Sequence, residues 1–356
     1  MIIKNYIINL TLLLYTQTFI LAANPNPIFS QNGMIVSTSK QASEAGIEIL
    51  KKGGNAIDAA VAVGFALAVT SSGNGNIGGG GFLVASMANG ESFTLDHREK
   101  APESARSNMF LDGNGDIIPG MSLYSQASSG VPGTVDGLIR VLKDYGSGNI
   151  SLREVLNPAI NLAERGFLLS NYEARRFNTY KNFFAENKAA SKIFIKNNGS
   201  IWKKGDNFIQ KDLAKTLKRI ARYGRDGFYK GPVADMIIKE MKRGNGLITH
   251  EDLKNYSSKY RPPVIGSYKG HEVISMGPPS SGGVLLINML NMLENYPMDS
   301  MSWNSSDYIH IMTEVQRRAY ADRAEHMGDP DYWDVPVIML TSKAYAKKRI
   351  KNIDLN

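Results

Sequence analysis

Residues 71–102 read Ser71-Ser72-Gly73-Asn74-Gly75-Asn76-Ile77-Gly78-Gly79-Gly80-Gly81-Phe82-Leu83-Val84-Ala85-Ser86-Met87-Ala88-Asn89-Gly90-Glu91-Ser92-Phe93-Thr94-Leu95-Asp96-His97-Arg98-Glu99-Lys100-Ala101-Pro102. Glycines at this density let backbone run where a side chain would collide. Two apolar runs, 82–87 and 91–96, flank Ala88-Asn89-Gly90. Asn-Gly in that setting is the strongest short-range hairpin signal, because both residues tolerate positive φ. The stretch therefore predicts a glycine loop feeding an antiparallel pair. On the second strand Phe93 and Leu95 share one face, while Thr94, Asp96 and, by extension, Arg98 share the other. An arginine at a strand end can present a planar fork to a carboxylate, which points to a small-molecule site. The plain alternative is a solvated surface charge.

The same run contains a literal G-x-G-x-x-G, Gly73 to Gly78, with Asp96 downstream. A dinucleotide fingerprint follows a strand and opens a helix. Here the order is reversed. Residues 56–69 are alanine-rich and apolar, which predicts a buried helix before the glycines, and the residues after them are strand-like.

Working outward, Thr38 with Gln41 predicts a capping box for a helix whose stripe is Ala42, Ala45, Ile49 and Leu50, stopped by Gly53-Gly54. Gly130 to Gly133 predicts a turn before a helix over 135–145, and 152–165 keeps a helical period with a kink or break expected at Asn157-Pro158. Further helices are predicted over 212–223, 233–243, 284–296 and 307–327, with a short one over 250–256 capped by Thr249. Residues 273–276 read as a strand. Period alone predicts mixed α and β.

Several motifs together resemble the large-subunit region of gamma-glutamyltranspeptidase precursors. They are Gly53-Gly54-Asn55-Ala56-Ile57-Asp58-Ala59-Ala60, Asn76-Ile77-Gly78-Gly79-Gly80-Gly81-Phe82, Asp96-His97-Arg98-Glu99-Lys100-Ala101-Pro102, Gly130-Val131-Pro132-Gly133-Thr134-Val135, Gly227-Phe228-Tyr229-Lys230-Gly231, Leu247-Ile248-Thr249-His250-Glu251-Asp252-Leu253, Pro278-Pro279-Ser280-Ser281-Gly282-Gly283 and Tyr320-Ala321-Asp322-Arg323. The resemblance runs from about Gly33 to Asn356. It implies an α+β fold, the four-layer αββα sandwich of N-terminal nucleophile (Ntn) hydrolases, with residues 24–356 as the large-subunit region. It implies a precursor that cuts itself before a threonine, whose hydroxyl then serves as nucleophile and whose α-amine serves as base. The substrate class implied is glutathione and other γ-glutamyl amides, with water, an amino acid or a dipeptide as acceptor. No cofactor is implied, and the implied partner is the small subunit of the same precursor.

Only Arg98 carries over as a substrate residue, on the α-carboxylate of the γ-glutamyl group. His97 departs from the commonest family form of the motif. No Thr-Thr-His type motif occurs in this sequence. The expectation is an incomplete precursor that ends before its processing site, and a chain silent in catalysis by itself. The other reading is a paralogue without the nucleophile that binds γ-glutamyl compounds. A downstream threonine in the coding region would separate the two.

Residues 1–23 predict an export signal, with Lys4 ahead of an apolar stretch and Leu21-Ala22-Ala23 at the cleavage position, so a periplasmic or secreted protein is expected, and a membrane anchor less so. The chain has 356 residues and no cysteine, so packing and the partner must supply stability. The net charge of +8 is spread over helices that also carry acids and apolar positions, which argues against nucleic acid. Neither His250-Glu251 nor His271-Glu272 is followed by a second histidine at zinc-helix spacing, and no metal site is predicted. Ser280-Ser281 reads as a tight turn before a helix, without a G-x-S-x-G elbow.

Overall fold

A computed structural model describes residues 27–354; the expected export signal, residues 1–23, lies outside the described residues. Residues 37–354 form the folded unit.

The unit starts with helix α1 (Lys40–Lys51) and helix α2 (Ala56–Thr70), which leads into the glycine loop. Ser39 caps α1: its hydroxyl accepts from the Ala42 N–H and donates to Gln41, so Thr38 is not the cap. Asn55 caps α2 in a reciprocal box with Asp58. Because α2 is apolar all round, it must be covered on every side. Helices α1, α3 (Thr134–Tyr145) and α4 (Leu152–Arg165) pack around it, and Val61, Phe65, Ala62 and Val69 are fully buried. α4 runs without interruption through Pro158. Its buried face, Val155, Leu156, Ala159 and Ala163, holds the helix together where the proline removes one ladder bond.

Strands β1 (Phe82–Ser86) and β2 (Ser92–Asp96) pair antiparallel with Leu83 opposite Leu95. Gly90 alone takes positive φ in the connecting loop, and Asn89 accepts from the Glu91 N–H instead. Two short strands, β3 (Phe167–Leu168) and β4 (Asn207–Phe208), form a separate ladder. Strand β5 (Lys259–Arg261) joins the other edge of β2, with Leu95 opposite Tyr260 and Asp96 opposite Lys259. β6 (Val264–Tyr268) and β7 (His271–Ser275) make a second hairpin. Residues 271–275 thus begin the strand expected over 273–276 two positions earlier.

The main core gathers α1 to α4, helix α5 (Lys211–Tyr223), helix α6 (Pro232–Arg243) and the inner residues of β2. Smaller clusters join helices α7 (Gly282–Leu293), α8 (Ser306–His326) and α9 (Lys343–Arg349). The alternation expected on β2 is only half realised. Phe93 and Leu95 face the core as expected, but Thr94 and Asp96 are buried too, because β5 and its Arg261 cover that side.

Candidate functional site

Beyond β2 the chain enters a slot lined by glycine. His97 and Gly81 exchange two backbone hydrogen bonds, 3.0 and 3.2 Å. A Cβ on Gly80 would sit 2.5 Å from the His97 carbonyl, and one on Gly133 would sit 2.1 Å from it. The glycines are there for close approach. None between Gly73 and Gly81 takes positive φ. The helix–loop–strand order also removes the geometry a dinucleotide fingerprint needs.

His97 is buried against Gly81 and Gly137, and its Nδ1 has no hydrogen-bond partner. Burial pushes its pKa below the ordinary histidine value, against the attraction of Asp96 and Glu99, so the ring is a neutral packing element. The next residue turns outward. The Arg98 N–H donates to Asp96 Oδ1 at 3.1 Å, and its carbonyl accepts from the Tyr256 hydroxyl at 2.9 Å. Lys100 then bridges to Val131. With the backbone fixed on both sides, the exposed guanidinium makes no hydrogen bond or ion pair with any described residue and lies 5.9 Å from the Phe82 ring centre.

Tyr256 is itself anchored from beneath. Asp136 takes the Arg225 Nε–H on one carboxylate oxygen at 2.6 Å and the Ser258 N–H and hydroxyl on the other. The same guanidinium donates to the Tyr256 carbonyl at 2.5 Å. A buried charge held by several hydrogen bonds is a rigid support.

Arg98 lines a cavity of about 400 Å³ together with Asp96, Lys259, Arg261, Asp331 and Pro279. The turn over Pro278 to Gly283 contributes Pro279 to this cavity, while Ser281 takes a hydrogen bond from Arg323, which cannot act as a base. Arg261 donates through Nε to Asp96 at 2.9 Å and forks onto both oxygens of Asp331 at 3.0 and 3.2 Å. Lys259 reaches Asp331 at 2.6 Å. Hydrogen bonds from Arg261 and Lys259 hold the Asp331 carboxyl far below the usual carboxylate range. A second cavity of about 770 Å³ shares Arg261 and Asp331 and is walled by Pro262, Val264, Trp333 and Ile338.

Sequence reasoning singled out Arg98; the structure places it in one cavity with Arg261 and Asp331, which sequence reasoning did not single out. Arg261 sits before Pro262-Pro263 on a three-residue strand, and Asp331 follows Pro330 in a loop, so neither shows a periodic signal.

Helices packed on short antiparallel sheets make this an α+β protein, and the solved structures it matches place it in the Ntn-hydrolase class. The pattern of the gamma-glutamyltranspeptidase family matches residues 42–356, and the chain belongs to that family. It is 45% identical over 331 residues to a glutathione hydrolase proenzyme of Escherichia coli, covering 93% of this chain and 57% of that protein. The crystal structure of Helicobacter pylori gamma-glutamyltranspeptidase matches with a TM-score of 0.89 and 48% identity, over 92% of this chain and 94% of that one. A Pseudomonas nitroreducens gamma-glutamyltranspeptidase complexed with L-DON matches with a TM-score of 0.86 and 38% identity, over 92% and 96%. The chain spans rather more than half the length of the curated relatives it matches.

Proposed function

We propose that this chain is the large-subunit region of a self-processing enzyme that transfers γ-glutamyl groups from glutathione and other γ-glutamyl amides to water, amino acids or dipeptides. Arg98 holds the α-carboxylate of the donor. The small subunit of the same precursor supplies the threonine. Its hydroxyl attacks the γ-carbonyl, the amide C–N bond breaks, and the threonine's α-amine relays the hydroxyl proton to the departing amine. Water or an acceptor amine then attacks the γ-glutamyl ester and frees the threonine. Residues 1–23 direct the precursor to export, so the reaction takes place in the periplasm or outside the cell.

One observation carries this reading. A guanidinium whose backbone is pinned at Asp96 and Tyr256 stands unpaired in a cavity. A planar fork binds a carboxylate through two parallel bonds, which lysine cannot reproduce. The test is expression of the complete precursor, a gel for self-cleavage, and an assay with a chromogenic γ-glutamyl anilide. Arg98→Lys should raise KM about tenfold or more, because it weakens ground-state and transition-state binding together. An unchanged KM would remove Arg98 from the site.

A further inference from the structure

Arg98 shares its cavity with its own competitors. Four cationic and four carboxylate side chains line the space, so its formal charge balances, and Asp96 and Asp331 are two of those carboxylates. They are both taken. Arg261 is 13% exposed and stands between them, with Nε on Asp96 and the other two nitrogens on Asp331. Lys259 adds a second cation to Asp331. The remaining oxygen of Asp96 accepts from the Arg98 backbone and so aims that residue. Every strong acceptor of these two carboxylates is occupied by a cation or a backbone N–H, and the Arg98 fork is left over.

We infer that Arg261, assisted by Lys259, is a positioning residue that neutralises Asp96 and Asp331 and thereby keeps the Arg98 guanidinium free for the carboxylate of the substrate. The inference rests on the proposed role of Arg98 and adds the reason that arginine is available. Without Arg261 the cavity becomes net negative. Asp331 and Asp96 then attract Arg98 and repel an incoming carboxylate, and both effects weaken binding.

The experiment uses the full-length, self-processed enzyme and a chromogenic γ-glutamyl anilide. Arg261→Gln should raise KM about tenfold with kcat within about twofold, the signature of lost uniform binding. Adding Asp331→Asn to that variant should bring KM back by about threefold or more, because the uncompensated charge is gone. Packing alone predicts no such recovery. Lys259→Met, at a half-exposed position where one ion pair is lost, should raise KM about threefold and be reversed by the same Asp331→Asn. Failure of Asp331→Asn to lower KM in both backgrounds overturns the inference. Should Arg98→Lys itself leave KM unchanged, the substrate reading fails instead. If Arg98→Lys raises KM while Arg261→Gln and Lys259→Met do not, the reading of Arg98 stands and only this inference falls.

Discussion

His97 shows how much one residue's environment can differ from its sequence context. Flanked by Asp96 and Glu99, it invites a charged, functional reading, yet its ring is buried against two glycines with Nδ1 unpaired. Desolvation outweighs the nearby carboxylates and lowers its pKa. Above an ordinary histidine pKa of about 6.5 the ring is neutral in both folded and unfolded chains, so it contributes no pH dependence. Below that value the unfolded chain takes the proton first, and stability falls as the pH drops through the lowered folded value. Thermal midpoints measured from pH 8 to pH 5 should therefore decline, and His97→Gln should flatten that decline. Parallel curves for the two proteins would refute the assignment. Arg98 is the contrast, since the residue next in sequence is exposed and its guanidinium has no hydrogen-bond or ion-pair partner among the described residues.

Among the elements, α2 depends most on its first turn. Asn55 accepts from the Ile57 and Asp58 N–H groups at 2.9 and 3.0 Å, and its amide donates to the Tyr145 carbonyl at the end of α3. One side chain thus caps one helix and ties down another. Asn55→Ala should lower unfolding stability by about 1–2 kcal/mol in a urea titration. A loss below about 0.3 kcal/mol would show that the cap is dispensable. The β1–β2 hairpin and most helix limits were legible because alternation and helical period are local properties. The cap of α1 and the course of α4 were not. Ser39 and Thr38 are both capable caps, and only the packing of Ala42 and Ala45 selects the first. Pro158 ends helices in general but is overruled here by four buried neighbours on its own helix.

Across the whole molecule, carboxylates tie together segments 10 to 72 residues apart in the chain. Asp206 is held low by Lys196, Glu294 by Lys343, and Asp331 by Arg261 and Lys259. Each has a folded pKa below its ordinary value, so its contribution is complete above an unfolded pKa of about 4 and is lost as the pH falls through the folded one. Urea midpoints should hold from pH 7 to about 5 apart from the His97 contribution, then drop steeply towards pH 2.5. A flat profile between pH 5 and pH 2.5 would show that these pairs do not matter to stability. The residues of the hairpin, the glycine loop that admits it and the arginine at its end are neighbours in the chain, and hydrophobic alternation with backbone sterics was enough to place them from sequence alone. The Arg261 contacts to Asp96 and Asp331 join positions 165 and 70 residues apart. No local pattern encodes such a meeting. It follows from β5 pairing with β2 and from the loop before Asp334 folding over that edge, so only the tertiary structure could decide that Asp96 and Asp331 are paired while the Arg98 guanidinium is not.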